Sequence, residues 1–427
     1  MPQLSPVERR LAPVHSRRLS RGTAFAAITV IFVVFMAASS APSPLYVVYQ
    51  ELWGFSATVL TVVFAVYVFG LVAALLVLGA LSDYIGRRPV LAVAIALESV
   101  ALILFISAGD VTMLLIARLL QGIATGAAMT TLGAALVDLN PPHAPGRAGL
   151  VNGVAPLGGL AVGAVGCGAL VQFGPAPTHL VFALLLAGMV VAALFVGFMP
   201  ETGVRRPGGA RSLRPHLGVP RGLRTDVLAL VPILIASWAL GGLYLSLGPS
   251  VTAGIFGLSN HLVGGLVVTL LCGTGAVTAV AVRSWPTDRV LRFAAGLLTA
   301  GTAVTLVGVQ VPSIGIAAAG TVVAGVGFGA SALGCFGTLA RLAAPEERGE
   351  LFAVVLVISY LAFSIPAVVA GFAATIVGLP TTALVYGSVV VVLGLSTLLI
   401  QQLRAGPRQL ATPSTESRPR HPSAGRG

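Results

Sequence analysis

Two ionisable side chains lie deep inside apolar segments of the sequence. Arg118 is surrounded by leucine, isoleucine and alanine, and Glu98 stands in a separate apolar segment. An arginine in a membrane span costs at least ~2.5–3.5 kcal/mol on insertion scales, so it must face a cavity or polar partners. An acidic side chain inside a membrane is a functional candidate for the same reason. We therefore expect Arg118 and Glu98 to belong to polar sites.

Glu98 is a candidate proton site with a structural alternative. The rise of a helix places it about 12 Å from one end of its segment and about 9 Å below Arg118. A direct ion pair would therefore require the arginine side chain to reach down. A proton-carrying role and a structural role, by pairing or snorkelling, are both compatible with the sequence.

A polar stripe occurs earlier in the chain. Its members are four, three and four positions apart, which places them on one narrow helical face: Ser39, Ser43, Tyr46 and Gln50. Pro42 and Pro44 lie within the stripe, so we expect a kink that frees backbone carbonyls. The stripe is predicted to line a cavity at the depth of Arg118 and to accept its hydrogen bonds. The alternative is ordinary serine packing with an interfacial tyrosine.

The composition indicates that these residues lie in helices that cross a lipid bilayer. Of the 427 residues, 56% are hydrophobic and 9% are charged, whereas an ordinary soluble domain is about 25% charged. Mean hydropathy is +0.98. A soluble fold of this size could not bury so much apolar surface. The fold class is therefore an all-α polytopic membrane protein.

The sequence lacks the residues that several kinds of functional site would need. The basic residues are all arginine, and without lysine no Walker-A ATPase loop is possible. The three cysteines have no pair spacing and no flanking histidine, so neither a disulfide framework nor a metal site is predicted. No histidine lies in the middle of a span, and no H-E-x-x-H motif exists. We expect no enzyme activity, no cofactor, no metal and no nucleic-acid partner.

Twelve segments are long and apolar enough to cross a membrane, each with about 20 apolar residues. Their predicted bounds are 24–48, 57–81, 90–108, 112–137, 148–173, 178–199, 227–249, 261–283, 292–310, 313–340, 351–375 and 379–402. The domain plan is a basic N-tail (1–22), a six-helix bundle (23–200), a central loop (201–226), a second six-helix bundle (227–402) and a disordered C-tail (403–427).

Arginine placement supports this count. With the N-terminus in the cytoplasm, 24 of the 25 arginines fall in cytoplasmic tails and loops, and Arg118 is the one inside a span. The predicted location is therefore the cell membrane, with both termini cytoplasmic. Residues 37–41 could mimic a signal-peptide cleavage site, but the apolar run continues past residue 36 and we expect span 1 to be retained.

The two halves of the chain repeat at a shift of 203–205 residues. Ser43-Pro44 corresponds to Gly248-Pro249, Asp83 to Asp288, and Gly122-x-x-x-Gly126 to Gly325-x-x-x-Gly329. Two parallel repeats are a known transporter plan, with the substrate site between the halves near the middle of the membrane. The repeat places Tyr244 and Ser246 of span 7 in the region that mirrors the stripe, with Trp238 deeper.

The loop between spans 2 and 3 carries the most specific motif. Its residues are Gly79, Asp83, Gly86, Arg87 and Arg88. The motif resembles the G-x-x-x-D-R-x-G-R-R signature of the major facilitator superfamily, with Tyr84 at the usual arginine position. Gly86 permits a sharp turn, and Asp83 can face a helix N-terminus or an arginine. The resemblance implies a loop that latches the halves in the outward-facing state; the alternative is charge that only sets topology.

Span 4 contains a second similarity to that family. Arg118, Gln121, Gly122 and Gly126 look like its second motif. The resemblance implies a role for Arg118 in proton transfer or substrate binding. A structural arginine bonded to neighbouring carbonyls is the alternative.

Span 5 resembles the motif of the drug:proton antiporter branch. Gly159, Gly163 and Gly168 match it, whereas Ala164 replaces its proline and Cys167 one of its glycines. These glycines, with Gly122 and Gly126, are also expected to pack helices. The resemblance covers about residues 24–402.

The resemblance implies a secondary transporter with two pseudo-symmetric six-helix bundles and alternating access. The expected activity is proton-linked export of a small amphipathic molecule, with H+ as the coupling ion. The alternative is an uptake symporter or facilitator for a small polar metabolite. A membrane-embedded enzyme or a receptor is the rival from another class. The expected partners are the lipid bilayer and a small-molecule substrate, and the chain is expected to be a monomer.

Overall fold

The computed structural model describes residues 18–144, 146–203, 207, 218–258, 260–344 and 348–405. Most of the predicted N-tail, the C-tail from residue 406, and much of the predicted central loop lie outside the described residues. Within these ranges the structure is helical and contains no strand.

The described chain contains twelve helical spans with the length and hydropathy to cross a membrane, which confirms the predicted fold class. Spans 2 to 6 are Ala57–Leu78, Arg87–Ile106, Val111–Asp138, Arg147–Phe173 and Leu180–Phe198. Spans 8 to 12 are His261–Ala281, Thr287–Gln310, Ile314–Leu342, Arg348–Val377 and Leu379–Ala405. Spans 1 to 6 form the N-terminal half and spans 7 to 12 the C-terminal half.

Spans 1 and 7 are each built from two helices. Span 1 comprises Arg21–Ser40 and Pro42–Trp53, and span 7 comprises Arg224–Ser246 and Gly248–Phe256. A proline in the first turn of each second helix accounts for the break, because proline has no N–H to donate to the preceding turn. Both spans therefore extend beyond their predicted ends at residues 48 and 249.

The spans alternate in direction, so arginines gather on one face of the bundle. Arg21, Arg87, Arg147 and Arg224 begin spans 1, 3, 5 and 7, and Arg404 lies in the last turn of span 12. We call this the arginine-rich face, and we call the other the opposite face.

Glycines allow close helix contacts within the N-terminal half. Gly122 and Gly126 lie against the backbone of span 2 at Tyr67 and Leu71. In span 5, Gly159 and Gly163 lie against the span 1 backbone, and a Cβ at either position would clash with it. Gly168 instead meets His261 of span 8, so it packs the two halves together.

The two halves meet mainly through spans 2, 5, 8 and 11. On the opposite face, the Ser43 hydroxyl donates to the Leu245 carbonyl, and the His261 N–H donates to Gln172 at 3.0 Å. Thr58 donates to the Gly371 carbonyl at 3.4 Å in the same part of the bundle. These contacts close the opposite face between the halves.

Candidate functional site

Arg118 is the centre of a buried polar network in the N-terminal half. Its side chain is 1% exposed. Nε donates to the Tyr46 hydroxyl at 2.9 Å, and Nη2 donates to the same oxygen. Nη1 donates to the Ser39 carbonyl at 3.1 Å and to Gln121 Oε1 at 2.6 Å. The guanidinium is thus held by neutral oxygens rather than by a carboxylate.

Gln121 connects Arg118 to Glu98. Its Nε2 donates to Glu98 Oε1 at 3.0 Å and to the Ala38 carbonyl at 3.1 Å. Both charged side chains are described, and no ion pair joins them directly. Glu98 is 0% exposed, and its Oε2 has no hydrogen-bond partner in the described part of the chain. The two groups are therefore coupled through one neutral amide.

Pro42 in span 1 explains why the Ala38 carbonyl is free to accept from Gln121. Ala38 would normally accept a bond from residue 42, but Pro42 has no N–H. The preceding carbonyl, that of Ala37, still accepts from the Ala41 N–H at 3.0 Å. Gln121 and Arg118 are three residues apart on span 4, so they share a helical face and reach this break together. Pro42 therefore frees the carbonyl that holds Gln121.

The predicted polar stripe does not face one cavity. Tyr46 meets Arg118 with its hydroxyl, but Ser39 does so with its carbonyl, because its own hydroxyl donates to Phe35 O at 2.9 Å. Ser43 contacts the other half, and Gln50 donates to Phe55 O at 3.4 Å near the end of the span. Ser39 and Tyr46 therefore contact Arg118, whereas Ser43 and Gln50 have other partners.

Tyr67 of span 2 is a member of the network that the sequence reasoning did not identify. The Arg118 guanidinium carbon lies 4.9 Å from the centroid of its ring, within cation–π distance. Tyr67 also belongs to the apolar cluster that contains Phe64 and Phe363. A tyrosine in the middle of an apolar span was the only signal available in the sequence.

An aromatic cluster lies between the halves near the middle of span 7. The Trp238 ring is 4.9 Å from that of Tyr360 and 5.9 Å from that of Phe363, centroid to centroid. Phe64 of the N-terminal half is 5.1 Å from Phe363. Trp238 therefore lies at the interface between halves, apart from Arg118.

Tyr244 lies at a third place, inside the C-terminal half. Its hydroxyl is 2.7 Å from the Thr321 hydroxyl, and it lines a cavity of about 250 Å³. Ser246 donates back to the Gly242 carbonyl at 2.7 Å. The predicted cavity residues are thus divided among the Arg118 network, the interface and the C-terminal half.

The loop of the first motif is held within the N-terminal half. Arg87 pairs with Asp83 at 2.5 Å and with Asp138 at 3.1 Å, and donates to Ser82 at 2.6 Å. Gly86 has φ 102°, a turn conformation that favours glycine, and Gly79 caps span 2. Asp83 remains 56% exposed.

Glu201 holds the other side of this loop. Its carboxylate accepts from the backbone N–H groups of Arg87 at 2.8 Å and Arg88 at 3.2 Å. These are the first residues of span 3, where N–H groups lack helical partners and a negative charge is favourable. The Arg88 side chain donates to the Val196 carbonyl at 3.1 Å. Spans 3 and 6 are thereby joined at the arginine-rich face.

Comparison with known proteins decides the family. A family model described as the Major Facilitator Superfamily matches residues 27–309. The chain belongs to the major facilitator superfamily. It is therefore a multi-pass membrane protein with a transporter fold and not an enzyme.

Solved transporters share this fold at low sequence identity. The human organic anion transporter MFSD10 is 17% identical, with a TM-score of 0.64 over 89% of this chain and 100% of that chain. A bacterial homologue of the human lysosomal transporter Spinster, in an inward-facing and unoccupied conformation, is 13% identical, with a TM-score of 0.69 over 92% and 99%. A D-xylose-proton symporter is 17% identical, with a TM-score of 0.69 over 88% and 97%.

Proposed function

We propose that this protein is a proton-coupled exporter of small amphipathic molecules that works by alternating access. The observation that carries the proposal is the buried chain of contacts from Glu98 through Gln121 to Arg118. Tyr67 joins this chain to the aromatic cluster between the halves. A proton site, a fixed cation and an aromatic surface thus lie next to one another.

The substrate would bind where the aromatic cluster meets the polar network. Trp238 and Phe363 offer apolar rings from the C-terminal half, and Phe64 offers one from the N-terminal half. The Arg118 guanidinium lies against the Tyr67 ring, and its N–H groups donate to neutral oxygens. An amphipathic molecule could place its apolar part on the rings and its polar part toward the network.

Glu98 is the proposed proton carrier. Its Oε2 is free of hydrogen-bond partners among the described residues, so a proton can be held there. With the proton bound, the charge of Arg118 is unbalanced and repels a cationic substrate. Without the proton, the two charges cancel across Gln121, and a neutral or cationic substrate is tolerated. Proton binding and substrate binding then oppose each other, as exchange of one for the other requires.

The same charge argument defines the second candidate, an uptake symporter. A protonated Glu98 leaves Arg118 as a net positive charge with a planar donor fork suited to a carboxylate. An anionic polar substrate would then bind together with the proton rather than against it. The charge of the transported compound therefore separates the two candidates.

The arginine-rich face is proposed to be cytoplasmic, in the cell membrane, with both termini on that side. Twenty-four arginines in the loops and tails of one side support this orientation. The closed opposite face would then be the external gate, formed by contacts such as Ser43 with Leu245. Asp83, exposed in this state, is proposed to latch the halves when the cytoplasmic side closes.

The decisive experiment measures substrate-driven pH change in proteoliposomes over a panel of cationic, neutral and anionic compounds. Proton exchange predicts that a cationic substrate and protons move in opposite directions, and that Glu98→Gln lowers the proton flux about tenfold. Glu51→Gln is the matched control, because Glu51 is exposed at the opposite face. Movement of protons and an anionic substrate in the same direction would replace the export proposal with symport.

Orientation has its own test with introduced cysteines. The three native cysteines are buried, so they give little background labelling. In intact cells, Gly109→Cys on the opposite face should react with an impermeant thiol reagent, and Gly222→Cys on the arginine-rich face should be protected. The reverse pattern would invert the proposed orientation.

A further inference from the structure

A groove of about 360 Å³ runs between spans 1 and 6 in the N-terminal half. It starts near the arginine-rich face at Thr23 and continues along span 1 for eleven residues, about 17 Å at 1.5 Å per residue. Small residues leave this space between the two helices: Ala26, Ala27, Gly188 and Ala192. Thr23 is the one polar residue of the described lining, and its hydroxyl already pairs with another hydroxyl at 2.9 Å.

This groove faces the bilayer and not the space between the halves. Val30, Val191 and Phe195 of its lining are 60%, 50% and 40% exposed. Span 6 packs on spans 1, 3 and 5 of its own half, whereas the halves meet mainly through spans 2, 5, 8 and 11. A polar occupant would lose its hydration here without gaining a hydrogen-bond partner. The location therefore selects an acyl chain of the surrounding lipid.

Arg18 lies beside the end of the groove at the arginine-rich face. The Leu19 N–H donates to the Phe198 carbonyl at 3.0 Å, which places Arg18 next to the last turn of span 6. Thr23 and Phe195 of the groove lie within about one helical turn of that contact. Arg18 is exposed, and it makes no hydrogen bond or ion pair among the described residues. Its charge is therefore available to a ligand.

Two further arginines add positive charge at this end of the bundle. The Arg88 side chain donates to the Val196 carbonyl at 3.1 Å, and Arg21 donates to the Asp138 carbonyl at 2.8 Å. Both acceptors are neutral backbone oxygens, so neither guanidinium is paired with a carboxylate in the described chain. The Glu201 carboxylate accepts from backbone N–H groups of span 3 and offsets at most one of the three charges. An anionic group complements this end of the groove.

We propose that the groove binds an anionic phospholipid from the leaflet on the side of the arginine-rich face. One acyl chain lies between spans 1 and 6, and the phosphate accepts from the Arg18 guanidinium, whose planar donors suit it. The charges of Arg21 and Arg88 strengthen the attraction. A phosphatidylcholine supplies the same chain, but its cationic group is repelled by the arginines. The site does not depend on proton coupling or on the direction of transport.

Photolabelling of the purified full-length protein in detergent micelles tests the site. The probe is a phosphatidylglycerol with a diazirine on one acyl chain, and unlabelled phosphatidylglycerol and phosphatidylcholine are the competitors. We expect saturable labelling of residues 23–34 and 188–195, with phosphatidylglycerol competing about tenfold better. Arg18→Gln should lower this preference about fivefold, the contribution of one arginine at a membrane surface. Arg221→Gln, an exposed arginine on the same face of the C-terminal half, should keep the tenfold preference.

A matched pair of alanine variants tests the acyl-chain part of the groove. Ala26→Leu adds a larger side chain to the lining and should abolish saturable labelling. Ala193→Leu makes the same change at an exposed position of span 6 outside the lining, and should label like the wild type. Because the four substituted residues are exposed, each variant should unfold at the wild-type temperature.

Four results would each overturn the proposal. Labelling that does not saturate, or equal competition by the two lipids, would show that the groove holds bulk lipid without selecting a head group. A tenfold preference that survives in Arg18→Gln would remove the proposed phosphate contact. Saturable labelling of the same peptides in Ala26→Leu would show that the chain lies outside the groove.

Discussion

Equivalent helices make equivalent contacts in the two halves of the molecule, but the polar side chains beside those contacts differ. Gly122 and Gly126 lie against the span 2 backbone, and Gly325 and Gly329 lie against that of span 8. Beside the first crossing lie Glu98, Gln121 and Arg118, which form a buried polar network. Beside the second lie hydroxyl groups around an open cavity. The repeat therefore relates the packing of the backbones in the two halves, whereas the side chains beside these contacts differ between them.

The two halves also differ in the free energy that is needed to bury their polar side chains. A buried guanidinium requires several acceptors to offset its lost hydration, and Arg118 finds them in Tyr46, Gln121 and the span 1 break. Among the described residues of the C-terminal half no charged side chain is buried, and this half contains a cavity and an unpartnered hydroxyl, that of Thr302. If charge chemistry resides in the N-terminal half, substitutions there should have the larger effects on transport.

The largest effect is expected at Arg118. Arg118→Ala removes the cation and leaves Tyr46 and Gln121 without their donor, so we expect transport to fall by about a hundredfold, roughly 3 kcal/mol. Arg118→Lys keeps the charge but loses the planar fork, and should lose most transport while the protein remains folded. Counterflow and thermal unfolding on the same purified variants provide the measurement.

Two outcomes would break the comparison at this position. If thermal stability falls in step with activity in both Arg118 variants, the arginine has only a structural role. Thr321→Val changes the C-terminal counterpart, which the repeat places at a shift of 203 residues, and should have a much smaller effect on transport than Arg118→Ala. An equal loss in Thr321→Val would show that the two halves are not functionally different.

The next effect concerns Glu98. Glu98→Gln keeps the shape of the side chain and the contact with Gln121, but it cannot exchange a proton. We expect the transport rate driven by a pH gradient to fall about tenfold, roughly 1.4 kcal/mol, and exchange without a gradient to persist. Transport measured at several external pH values should then become nearly flat, whereas Glu51→Gln should keep the wild-type profile. An unchanged profile in Glu98→Gln would assign the proton to another group.

The loop motifs of the two halves provide a smaller contrast. Asp83 lies beside Arg87, which is largely buried and has further partners in Ser82 and Asp138. Its repeat counterpart Asp288 has an exposed pair with Arg341 at 3.2 Å, and such surface pairs contribute about 0–1 kcal/mol. We expect Asp83→Asn to slow turnover several-fold with substrate binding retained, by shifting the balance of conformations. Asp288→Asn should transport at close to the wild-type rate in the same assay. Wild-type turnover in Asp83→Asn would reduce the motif to a topology signal.

The smallest effect is on stability in the C-terminal half. Thr302→Val removes an unpartnered buried hydroxyl and keeps the side-chain shape, so the free energy of unfolding should rise by about 1 kcal/mol. Thr299→Val removes a hydroxyl that is hydrogen-bonded, and it should not stabilise the protein. Thermal unfolding in one detergent compares the pair directly. A lower midpoint for Thr302→Val would show that its hydroxyl has a partner in solution.

The sequence by itself determined the twelve spans, their alternating direction and the need for Arg118 to have polar partners. These follow from local quantities, namely apolar length, arginine placement and the insertion cost of a single side chain. The family resemblance in the loop after span 2 likewise needed only residue order, and the family match confirms it.

Only the tertiary structure decided which groups meet. Gln121 as the bridge to Glu98, Tyr67 over the guanidinium, and Ser43 in the contact between the halves all depend on how neighbouring helices are rotated. The helical pattern of span 1 placed the stripe residues on one face, but the neighbour that each of them meets depends on the helices packed around that face. The cavity around Tyr244 could not be predicted either, since an unfilled volume belongs to the packing of five spans and to no single one of them.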